Sequence, residues 1–334
     1  MSIKKIIIFF PIFSRGGLEE IALTLCKFFL NKKIKIDFIT FQKKQILNIN
    51  NKNFKLIFQK SKINNCSNFY KIFACAKLLS THLKQNESKN TVILSLQNSV
   101  ISIFISKIFN FKIYIKSAAP ISAFRYGNYI KNFFVFILKI IFYNFADKII
   151  VNSNHNKKTL LKFLIKKEKI IRIYNPIKLN SIKKIYKPKN NILYVGRIVK
   201  EKGLDILVNA FKKIEKLNYK LVLVGSGSYE QTLKKKISIL KLTKKVLFVG
   251  WKKNPTKYYL ISKVLVLPSY FEGFGNVLVE AIHCNLPCIA TKNSGGPDEI
   301  LGNGKYGMLY KSNDAEDLKR KINDLLMKKN SKNN

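Results

Sequence analysis

The residues best placed to do chemistry lie between Leu267 and Leu301, in the stretch LPSYFEGFGNVLVEAIHCNLPCIATKNSGGPDEIL. Two carboxylates, Glu272 and Glu280, stand there with seven residues between them, among which a Gly-Phe-Gly turn opens a helix. A short apolar strand (Val264 to Leu267) leads in, and a Pro-led strand (Pro287 to Ala290) leads out. Strand, glycine turn and helix N-terminus together make an anion site, because the first helical N–H groups lack intrahelical partners and point outward. A carboxylate on that turn does not suit phosphate. It suits hydroxyl groups beside a phosphate, as a sugar nucleotide presents them. Glu280 is flanked by Val277, Leu278, Val279, Ala281 and Ile282. It is therefore expected to be buried and hydrogen-bonded, with ribose hydroxyls as suitable donors. The plainer alternative is a helix-start charge and a surface glutamate.

Two further clusters carry the right chemistry. Gly196-Arg197 and Lys202-Gly203 follow the strand Ile192–Val195 directly. Both side chains can turn toward one diphosphate, Arg197 with its planar fork and Lys202 as a point charge. Gly16-Gly17 follows the first strand and opens a helix, allowing close backbone approach to an anion; a plain tight turn is the competing reading. Of the three histidines, His82 is expected at the surface, His155 in a loop role and His283 as a helix residue, none of them catalytic. Neither a helical HxxxH nor a Cys/His cluster occurs, which speaks against a protein-built metal site.

Alternating elements must hold these residues in place. In the first half, strands are expected at Lys4–Phe10, Ile34–Thr40, Phe54–Phe58, Thr91–Leu96, Lys112–Lys116, Lys148–Asn152 and Ile170–Tyr174, with helices at Gly17–Leu30, Asn68–Leu83 and Asn128–Phe145. The segment 174–191, with two prolines and no apolar period, reads as a linker. Strands then resume at Ile192–Val195, Lys220–Val224, Lys245–Val249, Lys263–Leu267 and Cys288–Ala290, and helices at Leu204–Leu217, Tyr229–Leu240, Asn276–His283 and Ala315–Met327. Continuous β-branched strands separated by helices imply parallel sheets covered on both faces. Two doubly wound α/β domains follow, 1–176 and 177–327, facing across a cleft, with 328–334 as a frayed, disordered tail. In such sheets ligands bind at the carboxyl ends of the strands, at the switch point.

Composition sets the remaining bounds. A hydrophobic content of 47% with 12% aromatics describes packed domains. The net charge of +44 points either to a polyanionic partner or to the Lys, Asn, Ile and Phe bias of an AT-rich coding sequence. Nucleic-acid binding is not expected, since no aromatic platform or reading motif accompanies the charge. Five cysteines without a CxxC pair fit a reducing, cytoplasmic setting, with Cys26 and Cys75 as buried fillers. The N-terminal IIIFFPIF reads as a buried strand rather than a signal peptide. Lys139 divides NFFVFILKIIFYNFA (132–146) into halves too short to span a bilayer. The same basic, aromatic segment is suited either to the core or to a membrane surface.

The combined motifs resemble retaining glycosyltransferase family 4, which has the GT-B fold. The matching residues are FPIFSRGGLEEIALTL (Phe10–Leu25), YVGRIVKEKGLDILVNAF (Tyr194–Phe211), EGFGNVLVEA (Glu272–Ala281) and NLPCIATKNSGGPDEI (Asn285–Ile300). The likeness implies that Arg197 and Lys202 neutralise the donor diphosphate and stabilise the departing nucleotide. It implies that Glu272 contacts the transferred sugar and Glu280 the ribose. Backbone N–H groups around Phe274, Gly275, Asn276 and Val277 would hold phosphate, Trp251 would cradle the base, and Gly16 and Gly17 would close the site. It implies no cofactor and no metal, and front-face attack with retention.

The implied activity is transfer of a hexose or N-acetylhexosamine from a UDP-linked donor to a lipid-linked or surface-glycan acceptor, in lipopolysaccharide or capsule assembly. The expected location is cytoplasmic and peripheral on the inner face of the cytoplasmic membrane, in contact with anionic lipid. Two departures stand out. Neither SAAPIS (Ser117–Ser122) nor SLQNSV (Ser95–Val100) contains the first-domain histidine that many relatives carry, and the sequence stops soon after the helix at 315–327. A catalytically weak or inactive member serving as a binding partner in a glycan-assembly complex is the alternative.

Overall fold

A computed structural model of the protein describes residues 3–13, 17–42, 49–59, 66–117, 129–179, 181–182, 186–187, 189–214 and 217–330. The chain divides into two compact units, 1–178 and 179–334. Each is built on one parallel sheet.

The first unit runs β1 (Lys5–Phe9), α1 (Gly17–Asn31), β2 (Lys35–Thr40), β3 (Phe54–Phe58), α2 (Asn68–Lys84), β4 (Thr91–Ser95), α3 (Ser99–Ile108), β5 (Lys112–Ser117), α4 (Tyr129–Tyr143), β6 (Lys148–Val151), α5 (Asn154–Leu161) and β7 (Ile170–Arg172). Its sheet order is β3-β2-β1-β4-β5-β6-β7, with every pairing parallel. The sequence KIIIF explains why β1 lies at the centre. Ile7 and Phe9 pack into one core with Ile93, Ile113 and Ile149, while Ile6 and Ile8 pack into the opposite core with Ile36, Phe38 and Leu94. Side chains alternate across a strand, so a continuous apolar run is buried on both faces only inside such a sandwich.

The second unit runs β8 (Asn191–Val195), α6 (Leu204–Lys212), β9 (Lys220–Val224), α7 (Glu230–Ile239), β10 (Val246–Gly250), α8 (Thr256–Leu260), β11 (Val264–Leu267), α9 (Asn276–His283), β12 (Cys288–Thr291), α10 (Gly296–Ile300), β13 (Met308–Tyr310) and α11 (Ala315–Asn330). Its sheet order is β10-β9-β8-β11-β12-β13, again parallel. The chain order reverses between β8 and β11. In the first unit it reverses between β1 and β4. These are the two switch points.

Sequence patterning located twelve of these strands and missed β13, whose three residues are too few to show a period. It also missed α3, where SVISIFISKI mixes serines into the apolar face. The helix expected over Leu204–Leu217 stops at Lys212, and α11 continues to Asn330, three residues past its expected end.

His82, expected at the surface, is buried. Its Nε2 lies 2.7 Å from Asp37 Oδ2, which Lys5 Nζ also approaches at 2.5 Å. Asn86 accepts from Lys5 Nζ at 2.7 Å and donates to the His82 carbonyl at 2.7 Å. A carboxylate on a central strand requires such partners, and α2 supplies one from the adjoining layer. Cys26 and Cys75 are fully buried, and burial pushes both thiols up to about 12.

Candidate functional site

The carboxyl edge of the second sheet gathers most of the chemistry-bearing residues onto four strand-end loops. The loop after β8 carries Arg197 and Lys202, and the loop after β11 carries Glu272 and Phe274. Because these strands are neighbours at the order reversal, their loops diverge to opposite sides of the sheet and leave a crevice between them.

Glycines let the loops approach backbone to backbone. Gly203, at φ +63°, has no room for a side chain: a Cβ there would lie 2.1 Å from the Pro268 carbonyl oxygen. Gly296 meets the backbone of Phe274 in the same way, at 2.3 Å. Hydrogen bonds complete the stitching. Tyr270 N–H donates to the Glu201 carbonyl at 3.2 Å, and Glu272 N–H to the Ser294 carbonyl at 2.6 Å. The β8, β11 and β12 loops therefore form one rigid floor.

On that floor Lys202 Nζ stands 2.5 Å from Glu272 Oε1, with side chains only 15% and 13% exposed. Ser269 Oγ donates to the same oxygen at 2.9 Å. Two donors thus fix Oε1 and hold the carboxylate in place. Tyr194, at the end of β8, is buried and donates its hydroxyl to the Arg197 carbonyl at 2.7 Å, which pins the Gly196-Arg197 turn. Burial first, and the nearby Glu272 carboxylate second, raise the Tyr194 phenol well above its ordinary value, so it remains a hydrogen-bond donor. The Arg197 side chain is 62% exposed and only 4.0 Å from Glu201 Oε1. It is a cation with freedom to swing.

Glu280 is half-buried, where its apolar neighbours had indicated full burial. The protein itself supplies a donor: buried Tyr259 places its hydroxyl 2.7 Å from Glu280 Oε2. Burial, followed by the Glu280 charge, raises the Tyr259 phenol well above its ordinary value. Phe274 is buried under the turn, and Gly275, at φ +100°, begins α9 without a capping side chain. Asn276 and Val277 form the first turn of α9. Trp251 follows β10 on the same sheet edge and is partly exposed. Gly17 is the first residue of α1 in the first unit, and Gly16 lies outside the described residues.

Ser269, Tyr194, Tyr259 and Ser294 are the contributors that sequence reasoning did not single out. Serines and tyrosines are common; Tyr194 and Ser269 each act three residues along their own loop, and Tyr259 and Ser294 gain a role only where distant segments meet. The one available signal was the position of Tyr194 and Ser269 at the ends of β8 and β11.

Comparison with known proteins bears on the same residues. Residues 177–334 match the family described as glycosyl transferases group 1. An uncharacterized glycosyltransferase of Methanocaldococcus jannaschii is 32% identical over 233 residues, covering 61% of this chain and 57% of that protein. The N-acetylgalactosamine-N,N'-diacetylbacillosaminyl-diphospho-undecaprenol 4-alpha-N-acetylgalactosaminyltransferase of Campylobacter jejuni is 33% identical over 198 residues, 56% of this chain and 54% of that protein. The chain thus spans little more than half the length of these curated relatives. Among solved structures, Anabaena HepE in complex with UDP and glucose superposes with a TM-score of 0.76 at 19% identity, covering 97% of this chain and 90% of that one. The fold is that of the GT-B proteins.

Proposed function

We propose, from the match of residues 177–334 to the glycosyl transferases group 1 family, that the protein is a retaining, metal-independent glycosyltransferase. The donor is a nucleotide-diphosphate sugar, most simply a UDP-hexose or UDP-N-acetylhexosamine. The acceptor is a lipid-linked or surface glycan, met at an anionic membrane surface. The observation that carries this reading is the Lys202–Glu272 pair across the switch point of the second sheet. It sets a cation suited to phosphate beside a carboxylate suited to sugar hydroxyls.

Within that reading each residue has a separate task. Lys202 and Arg197 take the diphosphate, Lys202 from a fixed position and Arg197 by closing from solvent. Their charge stabilises the nucleotide as it leaves, the kind of electrostatic effect that commonly dominates such catalysis. The opening turn of α9 at Phe274 to Val277 directs its N–H groups toward the phosphates. Glu272 Oε2 accepts from the transferred sugar, Glu280 from the ribose, and Trp251 lies against the base. Gly16 and Gly17 are the first-unit positions assigned to donor binding. The acceptor hydroxyl attacks the anomeric carbon on the face from which the phosphate departs. Its proton passes to the leaving phosphate oxygen, so configuration is retained.

Support for the donor class comes from the solved relative that holds UDP and glucose. Support for a lipid-linked acceptor comes from the diphospho-undecaprenol substrate in the Campylobacter enzyme's name. Calorimetric titration with UDP tests the donor half: wild type binds, and Lys202→Ala and Arg197→Ala each weaken binding. Equal affinity in all three proteins would remove the assignment.

A further inference from the structure

The first unit carries an apolar surface that its own core does not use. On α4 and the turn after it, Phe134, Leu138, Ile141 and Phe145 are all exposed. Their spacing of four, three and four residues places them in a single stripe along one side of the helix. The opposite side of α4 is the packed one, where Tyr143 is buried and Phe136 packs against the core. The stripe is widened on both flanks. Phe104 and Ile108 of α3 are exposed, and the Phe104 ring meets Phe142 at 6.4 Å. On the other side the loop 162–168 brings Phe163, whose ring lies 5.2 Å from Phe136, and Ile165, which is 84% exposed. This loop is fastened to the turn after α4 by the Ile165 N–H donating to Asn144 Oδ1 at 3.0 Å. The patch is therefore a fixed feature of the fold.

The charge around it is predominantly positive. Between residues 104 and 169 there are thirteen basic and two acidic residues. Lys162, Lys166 and Lys167 are exposed beside Phe163 and Ile165, and Lys107 is exposed beside Ile108. Of the two acids, Asp147 is already engaged by Lys107 at 2.8 Å. A second copy of the chain would bring lysines against lysines, because a two-fold contact sets the same patch on both partners. An anionic bilayer offers what both parts of this surface require: hydrocarbon for the aromatic stripe and phosphate headgroups for the lysines. Among the described residues no helix is long and apolar enough to cross a membrane, so the geometry describes a surface that lies on the bilayer.

We propose that α3, α4 and the loop 162–168 form a docking face for an anionic lipid surface, with Phe134, Leu138, Ile141 and Ile165 entering the headgroup layer. This deepens the membrane contact proposed above and rests on that reading for its biological sense. Its test uses neither donor nor acceptor, so a chain that bound vesicles but transferred no sugar would remove only the enzymatic reading.

The test is co-sedimentation of the full chain with vesicles of phosphatidylcholine, with and without phosphatidylglycerol. Wild type partitions onto the anionic vesicles. Phe134→Glu combined with Ile165→Glu lowers the partition coefficient by about tenfold or more, and Lys166→Glu combined with Lys167→Glu lowers it only where phosphatidylglycerol is present. These side chains are exposed, and an unchanged melting temperature confirms the fold of each variant. Wild-type binding to neither vesicle would overturn the proposal, as would a Phe134/Ile165 variant that binds as wild type does. Dispersal of a wild-type dimer by the same variant, without any vesicle binding, would assign the face to self-association instead.

Discussion

Lys202 and Glu272 are separated by 70 positions in the sequence, yet their side chains meet at 2.5 Å at the point where the strand order of the second sheet reverses. Neither loop would hold its residue there alone. Gly203 lets the first loop lie against Pro268, and Ser269 holds the shared oxygen of Glu272 from the other side.

Removing either partner should cost both function and stability. Glu272→Ala leaves Lys202 partly buried without a counter-charge, a loss of about 3 kcal/mol. The Lys202→Ala/Glu272→Ala double variant should be less destabilised than the sum of the single changes, because no lone charge remains. Urea unfolding of the four proteins measures the coupling. Sugar transfer should fall by about 10²-fold or more in each single variant.

Gly203→Ala should disturb the site without touching any charged group. The new Cβ would sit 2.1 Å from the Pro268 carbonyl in a left-handed conformation, so the two loops must separate. A destabilisation of about 2 kcal/mol or more is expected, together with weaker UDP binding. Denaturant unfolding and calorimetry on one preparation check both.

Glu280 offers a test of the ribose assignment. Wild type should bind UDP more tightly than its 2′,3′-dideoxy analogue, and Glu280→Ala should bring the two affinities together. Tyr259→Phe removes one hydrogen bond to Glu280 and should cost about 1 kcal/mol of stability with a smaller loss of that preference.

The buried Asp37 cluster should make the first unit's stability depend on pH. Burial alone would raise the Asp37 carboxyl, but hydrogen bonds from His82 and Lys5, with their charges, outweigh it and hold the group below its ordinary value. A carboxylate depressed on folding contributes stability above its unfolded pKa and loses it as pH falls through its folded pKa. Asp37→Asn should therefore be less stable than wild type near neutral pH, by about 2 kcal/mol. The gap should close in acid, below the range where free carboxylates titrate. Unfolding midpoints of both proteins across that range provide the check.

Where local pattern decides the outcome, the sequence was a sufficient guide. KIIIF, NILYV and VLVL could only be strands buried on two faces, and their spacing implied two parallel sheets. The glycine turn before α9 and the cations after β8 were legible for the same reason, since each is set by its own strand end. Partnerships across the sheet were not. Nothing local to His82 tells of Asp37, 45 residues away, and nothing local to Glu280 tells of Tyr259. The Lys202–Glu272 contact lies beyond local pattern too, because it depends on β8 and β11 being neighbours. The apolar stripe of α4 could be read as core or surface until the packed side of that helix was known.

The central claim is tested most directly by incubating the purified protein and its Glu272→Gln variant with a panel of nucleotide sugars and a mixed lipid-linked acceptor, and reading product mass and anomeric configuration. The account predicts one added hexosyl or N-acetylhexosaminyl unit from a single UDP-linked donor, with configuration retained, undiminished by a chelator and nearly lost in the variant. An added unit of inverted configuration, or transfer by the variant at the wild-type rate, would contradict it, as would the absence of product from every donor by a protein that binds UDP.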